Sequence, residues 1–217
     1  MSIVVDRFNK IKSNINNLDD SKTINIIAIS KTFSIEHIKP LLNLGHVHFG
    51  ENKVQEAASK WVILKKSNKN LKLHMVGKLQ SNKSKKAVEL FDFIHSLDNK
   101  KLADTLSKAE TETKRSIKYF IQVNIGNESQ KSGIPLNDLN DFFSYCTQEK
   151  KLDVIGLMCI PPNDNNEDKY FEIMNKRKKL LNLNNLSMGM SSDYLKALKH
   201  EANFLRIGSA IFGERNQ

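Results

Sequence analysis

Residues 185–212 read NLSMGMSSDYLKALKHEANFLRIGSAIF. Twice within this stretch a short apolar run reaches a glycine and a serine and then passes into a segment of helical spacing. The first run leads through SMGMSSD (187–193) into YLKALKH. The second, residues 204–208, steps through Ser209 into about one further turn. Gly189 permits a tight turn, and Ser191, Ser192 and Asp193 are residue types that cap helix starts. The same alternation recurs throughout the chain. Strands are expected at 26–30, 46–50, 71–76, 91–95, 116–124, 152–158, 185–188 and 204–208. Helical stretches follow from residues 35, 54, 83, 100, 136, 167, 192 and 209. An opening segment, 3–18, sets Ile3, Phe8, Ile11, Ile15 and Leu18 at helical spacing. Successive strand–helix units of this number suggest an α/β fold, a (β/α)8 TIM barrel with an extra N-terminal helix. A doubly wound open sheet is the alternative, though it usually has fewer strands. No Pro/Gly/Ser-rich linker and no internal repeat divides the chain, so residues 1–217 are expected to form one domain. With about one helical turn after the eighth strand, a second domain is not expected.

Composition narrows the functional classes. Hydrophobic residues make up 39% and charged residues 27% of 217, which excludes a disordered or collagen-like chain. The longest near-apolar runs, 24–29 and 154–160, are strand-length, well short of the roughly 20 residues that span a bilayer. The N-terminal MSIVVDRFNKIK lacks the basic-then-apolar pattern of a secretory signal. Cys146 and Cys159 have no CxxC spacing, so a disulfide framework is excluded and a structural zinc site is not expected. A cytoplasmic location is the simplest reading. The net charge of +10 invites nucleic acid as a partner. Yet Lys, Asn and Ile are abundant everywhere, as an A+T-rich coding sequence would produce, and the lysines lack interleaved aromatics. An anionic small molecule would profit from the same field.

In a barrel of this kind chemistry sits where strands end, on the C-terminal face. Lys31 follows the first strand. If partly desolvated, its amine would be a nucleophile toward aldehydes; otherwise it is a solvated lysine capping a strand. The loops after strands seven and eight offer Ser191, Ser192, Gly208 and Ser209 at two helix starts, a cup for phosphate at the position where such barrels often hold one. The alternative is two ordinary caps. Arg206 shares a strand face with Phe204 and Gly208 and needs a partner, either a structural one or a ligand acceptor. Asn52 lies just past the second strand. Asn124, Lys131 and Met158 fall at or beyond strand ends, Met158 reading most simply as core. His48 could join His74 in a metal cluster, but no HExxH-like spacing supports this, and structural histidines are expected at 46, 48 and 74. An imine-forming lysine, a phosphate cup and an arginine together suit one cofactor, pyridoxal 5′-phosphate (PLP), which carries an aldehyde, a phosphate and a pyridine nitrogen.

The chain resembles the pyridoxal phosphate homeostasis protein family, single-domain relatives of the alanine-racemase barrel. The matching stretches are AISKT (28–32), HFGENKVQEA (48–57), HMVGKLQSNKSK (74–85), VNIGNESQKSG (123–133), GLMCIPP (156–162), LSMGMSSD (186–193) and FLRIGSAIFGER (204–215). The resemblance implies a covalent imine (Schiff base) between PLP and Lys31, phosphate contacts from Ser191, Ser192, Gly208 and Ser209, and Arg206 facing the pyridine nitrogen. It implies that Asn52 and Met158 line the cofactor and associates Lys131 with its handling. Leu73, Lys78 and Glu201 depart from the family pattern. An aromatic is common before the third-strand histidine, His, Asn or Ser is common at 78, and Gly is usual at 201.

An arginine cannot take a proton from the ring nitrogen, so the ring remains a poor electron sink and transaminase chemistry is disfavoured. A racemase tolerates this arrangement but needs a second acid/base, which two-domain relatives take from a C-terminal domain. This chain stops at Gln217. The expectation is therefore a PLP carrier and regulator rather than an enzyme, acting in vitamin B6 homeostasis and indirectly in amino- and keto-acid balance. It would be monomeric and would hand cofactor to apo-PLP enzymes through transient contacts, with no specific nucleic acid and no membrane as partner. A small PLP-dependent amino-acid racemase is the alternative, and an RNA-binding barrel a third reading.

Overall fold

The computed structural model describes residues 2–18 and 23–214. Within the expected 1–217 domain, residues 1, 19–22 and 215–217 lie outside the described residues; Arg215 of the last matching stretch is among them. In chain order the elements are α1 (Ile3–Asn16), β1 (Asn25–Ile29), α2 (Ile35–Asn43), β2 (His48–Glu51), α3 (Val54–Ser67), β3 (Lys72–Met75), α4 (Ser84–Leu90), β4 (Phe93–Leu97), α5 (Lys100–Thr113), β5 (Lys118–Asn124), β6 (Ile134–Pro135), α6 (Leu139–Ser144), β7 (Asp153–Cys159), α7 (Glu167–Leu180), β8 (Asn185–Ser187), α8 (Tyr194–Lys199), β9 (Phe204–Ile207) and α9 (Ser209–Phe212). Neighbouring strands run β4-β3-β2-β1-β9-β8-β7-β5, and β5 pairs back to β4. Every pairing is parallel. The sheet is thus the closed (β/α)8 barrel expected from the alternation. The two-residue β6 was not anticipated; it pairs with the end of β5, Ile134 opposite Val123.

Side chains alternate between two cores, as the period of two requires. Ile26 and Ala28 of β1 face the helices and join the large outer core with Trp61, Phe91 and Phe171. Ile27 and Ile29 face the lumen and pack with Phe120, Met158 and Phe204. The lumen is therefore a packed core. Its depth also holds His74 and His95, both fully buried. Each imidazole lies flat on a phenyl ring: His74 on Phe93 at 4.3 Å and 7°, His95 on Phe120 at 4.3 Å and 14°.

The opening helix packs through Val4, Phe8, Ile11 and Ile15. Ile3, expected on that face, is 62% exposed because Val4 continues the four-then-three spacing toward the N-terminus and Ile3 does not; Leu18, 50% exposed, lies in the turn beyond the end of the helix at Asn16. Helix starts are capped where the sequence supplies an acceptor. The Asn99 side chain accepts from the Leu102 N–H at 2.9 Å ahead of α5, which satisfies one of the donors a helix start leaves unpaired. Helix α8 begins at Tyr194 rather than Ser192. Residues 191–193 form a turn instead, in which the Asp193 carboxylate accepts from the Met190 N–H.

Candidate functional site

A cavity of about 1020 Å³ opens at the C-terminal mouth of the barrel. Lys31, Asn52, Ser191, Ser192, Arg206, Gly208 and Ser209 all line it, as do Lys131 and Asn124. Met158 does not: it is fully buried one layer deeper, against Ile29 and Phe120, where it forms part of the packing beneath the cavity.

Lys31 stands two residues past β1, half-buried at the rim. The turn that carries it is held from below by residues the sequence reading passed over. The Glu51 carboxylate, fully buried, accepts from Ser30 Oγ at 2.7 Å and from Trp61 Nε1 at 2.9 Å, and pairs with Lys60 Nζ at 2.8 Å. Lys60 also donates to the carbonyls of Ser30 (2.9 Å) and Phe33 (3.3 Å), on either side of Lys31. Between them Thr32 takes a left-handed φ of 70°, a conformation a β-branched residue adopts only when its surroundings impose it. Lys60 sits in KWVILKK, one of the segments over which the abundant lysines are scattered; no local pattern distinguishes it from Lys65 or Lys66.

The adjoining wall is formed by the two glycine- and serine-bearing turns that follow β8 and β9, β9 being the strand that pairs with β1. Gly189 has φ 91°, and a Cβ there would lie 2.7 Å from that of Ala197. The Ser191 hydroxyl accepts from the Ala210 N–H at 3.1 Å and so ties the two turns together. Among the described residues, no acceptor meets the N–H groups of Ser191, Ser192 or Ser209. Asn52 Oδ1 borders the same cavity and is buried without a partner, which is uncommon for a buried polar atom in a folded chain. Backbone N–H groups and hydroxyls suit a phosphate, so the donor set fits PLP.

Arg206 is 5% exposed in the cavity floor. Nη1 donates to the carbonyl oxygen and to Oγ (2.9 Å) of Ser187, and Nη2 to the Cys159 carbonyl at 2.8 Å. Burial lowers its pKa below the ordinary arginine value, yet a guanidinium remains a cation and a donor only. On the far side Asn124 accepts from the Glu128 N–H and donates to the Glu128 carbonyl. These bonds fix the loop in which Lys131 pairs with Glu128 and donates to the Pro161 carbonyl at 3.2 Å. The titratable side chains lining the cavity among the described residues are Lys31, Lys78, Lys131, Arg206 and Glu214.

The histidines are structural neighbours of this site. His48 and His74 meet at 2.9 Å as hydrogen-bond partners. Among the described residues no group of three or more His, Cys, Asp or Glu is arranged to hold a metal ion. Nor is any helix among them long and apolar enough to cross a membrane.

Comparison with known proteins bears on the family and the fold. Residues 7–216 match the model of the alanine racemase N-terminal domain. The pyridoxal phosphate homeostasis protein of Haemophilus influenzae is 36% identical over 207 residues, covering 91% of this chain and 87% of that one. The structure of PipY from Synechococcus elongatus without PLP superposes with a TM-score of 0.89 at 34% identity, covering 98% of this chain and all of the other. PipY with PLP bound gives 0.84 at 33%, with the same coverage. By sequence and by architecture alike, the chain belongs to the alanine racemase N-terminal domain family and, within it, to the pyridoxal phosphate homeostasis proteins.

Proposed function

We propose that this protein binds PLP in the cavity at the C-terminal mouth and acts as a carrier in intracellular vitamin B6 homeostasis. The observation that carries the reading is the convergence on one cavity of an amine, two turns with unpaired N–H groups and a buried guanidinium. Bound PLP would supply an aldehyde that condenses reversibly with amines. Lys31 Nζ is the amine proposed to hold it as an imine, one water leaving as the C=N bond forms. The turn clamped by Lys60 and Glu51 fixes where that amine sits. Ser191, Ser192, Gly208 and Ser209 grip the phosphate through N–H groups and hydroxyls. Arg206 donates to the ring nitrogen and, holding its own proton, leaves that nitrogen an acceptor. The Asn52 side chain, with its unpaired oxygen, faces the same ligand, and Met158 supports the floor from beneath.

A carrier is favoured over a racemase because amines dominate the titratable lining of the cavity, Lys78, Lys131 and Glu214 being the groups beside Lys31 and Arg206 among the described residues. Neither histidine nor tyrosine lines it among the described residues. Lys78 and Lys131 are amines beside the cofactor, suited to an aldehyde that must be passed on. We further propose that the protein is a cytoplasmic monomer that meets apo-PLP enzymes transiently, without nucleic acid. Borohydride reduction of PLP-loaded protein followed by peptide mapping tests the assignment: the adduct is expected on Lys31 and is lost in Lys31→Ala. An unchanged adduct and unchanged visible absorption in that variant would overturn it. Deuterium exchange at the α-carbon of amino acids above the rate given by PLP alone would favour the racemase instead.

A further inference from the structure

A continuous line of hydrogen bonds runs down the barrel lumen from the cavity floor to the opposite mouth. Arg206 Nη1 donates to Ser187 Oγ at 2.9 Å. Ser187 Oγ meets His95 Nδ1 at 2.8 Å, His95 Nε2 meets His74 Nδ1 at 2.9 Å, and His74 Nε2 meets His48 Nδ1 at 2.9 Å. Ser187, His95 and His74 are fully buried. His48 reaches a small second cavity at the N-terminal mouth. The line draws side chains from β9, β8, β4, β3 and β2, so only closure of the barrel assembles it.

The chemistry gives the line one direction. Guanidinium can only donate, so Ser187 Oγ accepts from Arg206. The one hydroxyl proton of Ser187 then goes to its other partner, His95 Nδ1. His95 is thereby an acceptor at Nδ1 and, being neutral, carries its proton on Nε2, which it donates to His74 Nδ1. The same step repeats from His74 to His48. Burial holds both His95 and His74 well below the ordinary histidine value, with the neighbouring Arg206 charge adding to the effect at His95. Both are therefore neutral in the folded protein. Reversing the line would send the His95 proton toward an oxygen already receiving one from Arg206 and leave a buried hydroxyl proton without an acceptor.

We propose that Ser187, His95, His74 and His48 are positioning residues for the cofactor's ring nitrogen, acting through Arg206. This rests on the PLP reading above. A guanidinium has five N–H groups. Both on Nη1 are taken by Ser187, and one on Nη2 by the Cys159 carbonyl. The remaining Nη2 proton and the Nε proton are the ones left for an occupant of the cavity. Locking Nη1 fixes the plane of the fork and with it the direction of those two donors. The packed rings of Phe93 and Phe120 hold the imidazoles in turn.

The test compares affinities of the full chain for PLP, for 1-deaza-PLP (a carbon in place of the ring nitrogen) and for inorganic phosphate. Ser187→Ala is expected to weaken PLP about tenfold, the effect of one charge-assisted hydrogen bond. It should leave 1-deaza-PLP and phosphate unchanged, and Ser187→Thr, which keeps the hydroxyl, should restore PLP. Equal weakening of all three ligands would reduce the line to ordinary structural support, and no change in PLP would overturn the proposal directly. Failure of the unaltered chain to bind PLP would instead overturn the functional reading, and this one with it. A second measurement needs no variant: nitrogen-15 shifts should report neutral Nε2–H tautomers at His74 and His95. A proton on His95 Nδ1 would overturn the assigned direction.

Discussion

Replacing Lys60 by methionine keeps most of the side chain's volume and removes one ammonium. That group meets four acceptors: Glu51 at 2.8 Å, Glu56 at 2.9 Å, and the carbonyls of Ser30 and Phe33. Its loss strands the fully buried Glu51 carboxylate, which retains only Ser30 and Trp61 as donors. Removing one partner of a buried pair costs about 3–5 kcal/mol. The Lys60 side chain is 11% exposed, so water reaches part of the pair and the lower end, about 3 kcal/mol, applies. At about 2–4 °C per kcal/mol for a chain of this size, Tm should fall by about 6–12 °C. Circular dichroism on heating reads this directly. PLP titration of the same variant should show weakened binding, because both carbonyls flanking Lys31 are released. Adding Glu51→Gln removes the stranded charge and should recover a large part of the loss in Tm. If Lys60→Met shifts Tm by less than about 2 °C, below the effect of a single kcal/mol, the clamp is not what holds the Lys31 turn.

Gly189→Ala is expected to destabilise by about 1–3 kcal/mol, since φ is 91° and the added carbon would lie 2.7 Å from Ala197 Cβ; urea unfolding measures it. Glu201 is held down to about 2 by hydrogen bonds from Lys178 and Lys179. A carboxyl with a depressed folded value stabilises at neutral pH and loses that contribution as pH falls. Glu201→Gln should therefore flatten the acid-side decline in Tm between pH 4.5 and about 2. The effect is reduced by the 36% exposure of Glu201. Cys146 and Cys159 are both buried, and burial pushes both thiols up to about 12. The native protein should not consume a disulfide thiol reagent at mildly alkaline pH, whereas denatured protein should react at both positions; rapid native labelling would contradict that burial.

The strands were legible because parallel barrel strands are buried on both faces and so stand out as short β-branched runs between helical patterns. All eight barrel strands fall within about two residues of their expected starts and ends. The Gly-Ser turns were legible because glycine and serine mark them locally. What escaped the sequence has a common cause: it depends on contacts between distant segments. Helix α6 passes into a π-helical turn at Tyr145–Glu149, for which residues 139–149 carry no local signal. Strand β6 exists only because β5 is beside it. Lys60 looked like its neighbours until Glu51 and Ser30 were brought beneath it. His48 and His74 were weighed only as a metal pair or as structural histidines, and His95 only as the end of a strand. Their hydrogen bonds follow from closure, which no single segment encodes. Glu201 stood out as a departure, and the structure supplies the physical reason: it occupies a left-handed φ of 64°, where glycine is at ease, and its carboxylate is tied down by two lysines.

The one-way order of protons in the lumen bears on how this barrel can change over time. Each ring is at once the recipient of one hydrogen and the donor of the next, so altering a single member leaves an orphan on both sides of it. Drift in the interior is then a matter of all or none. Lineages are expected either to keep the serine and the histidines together or to have replaced them as a set with hydrocarbon, and intermediates that retain two of them should be rare.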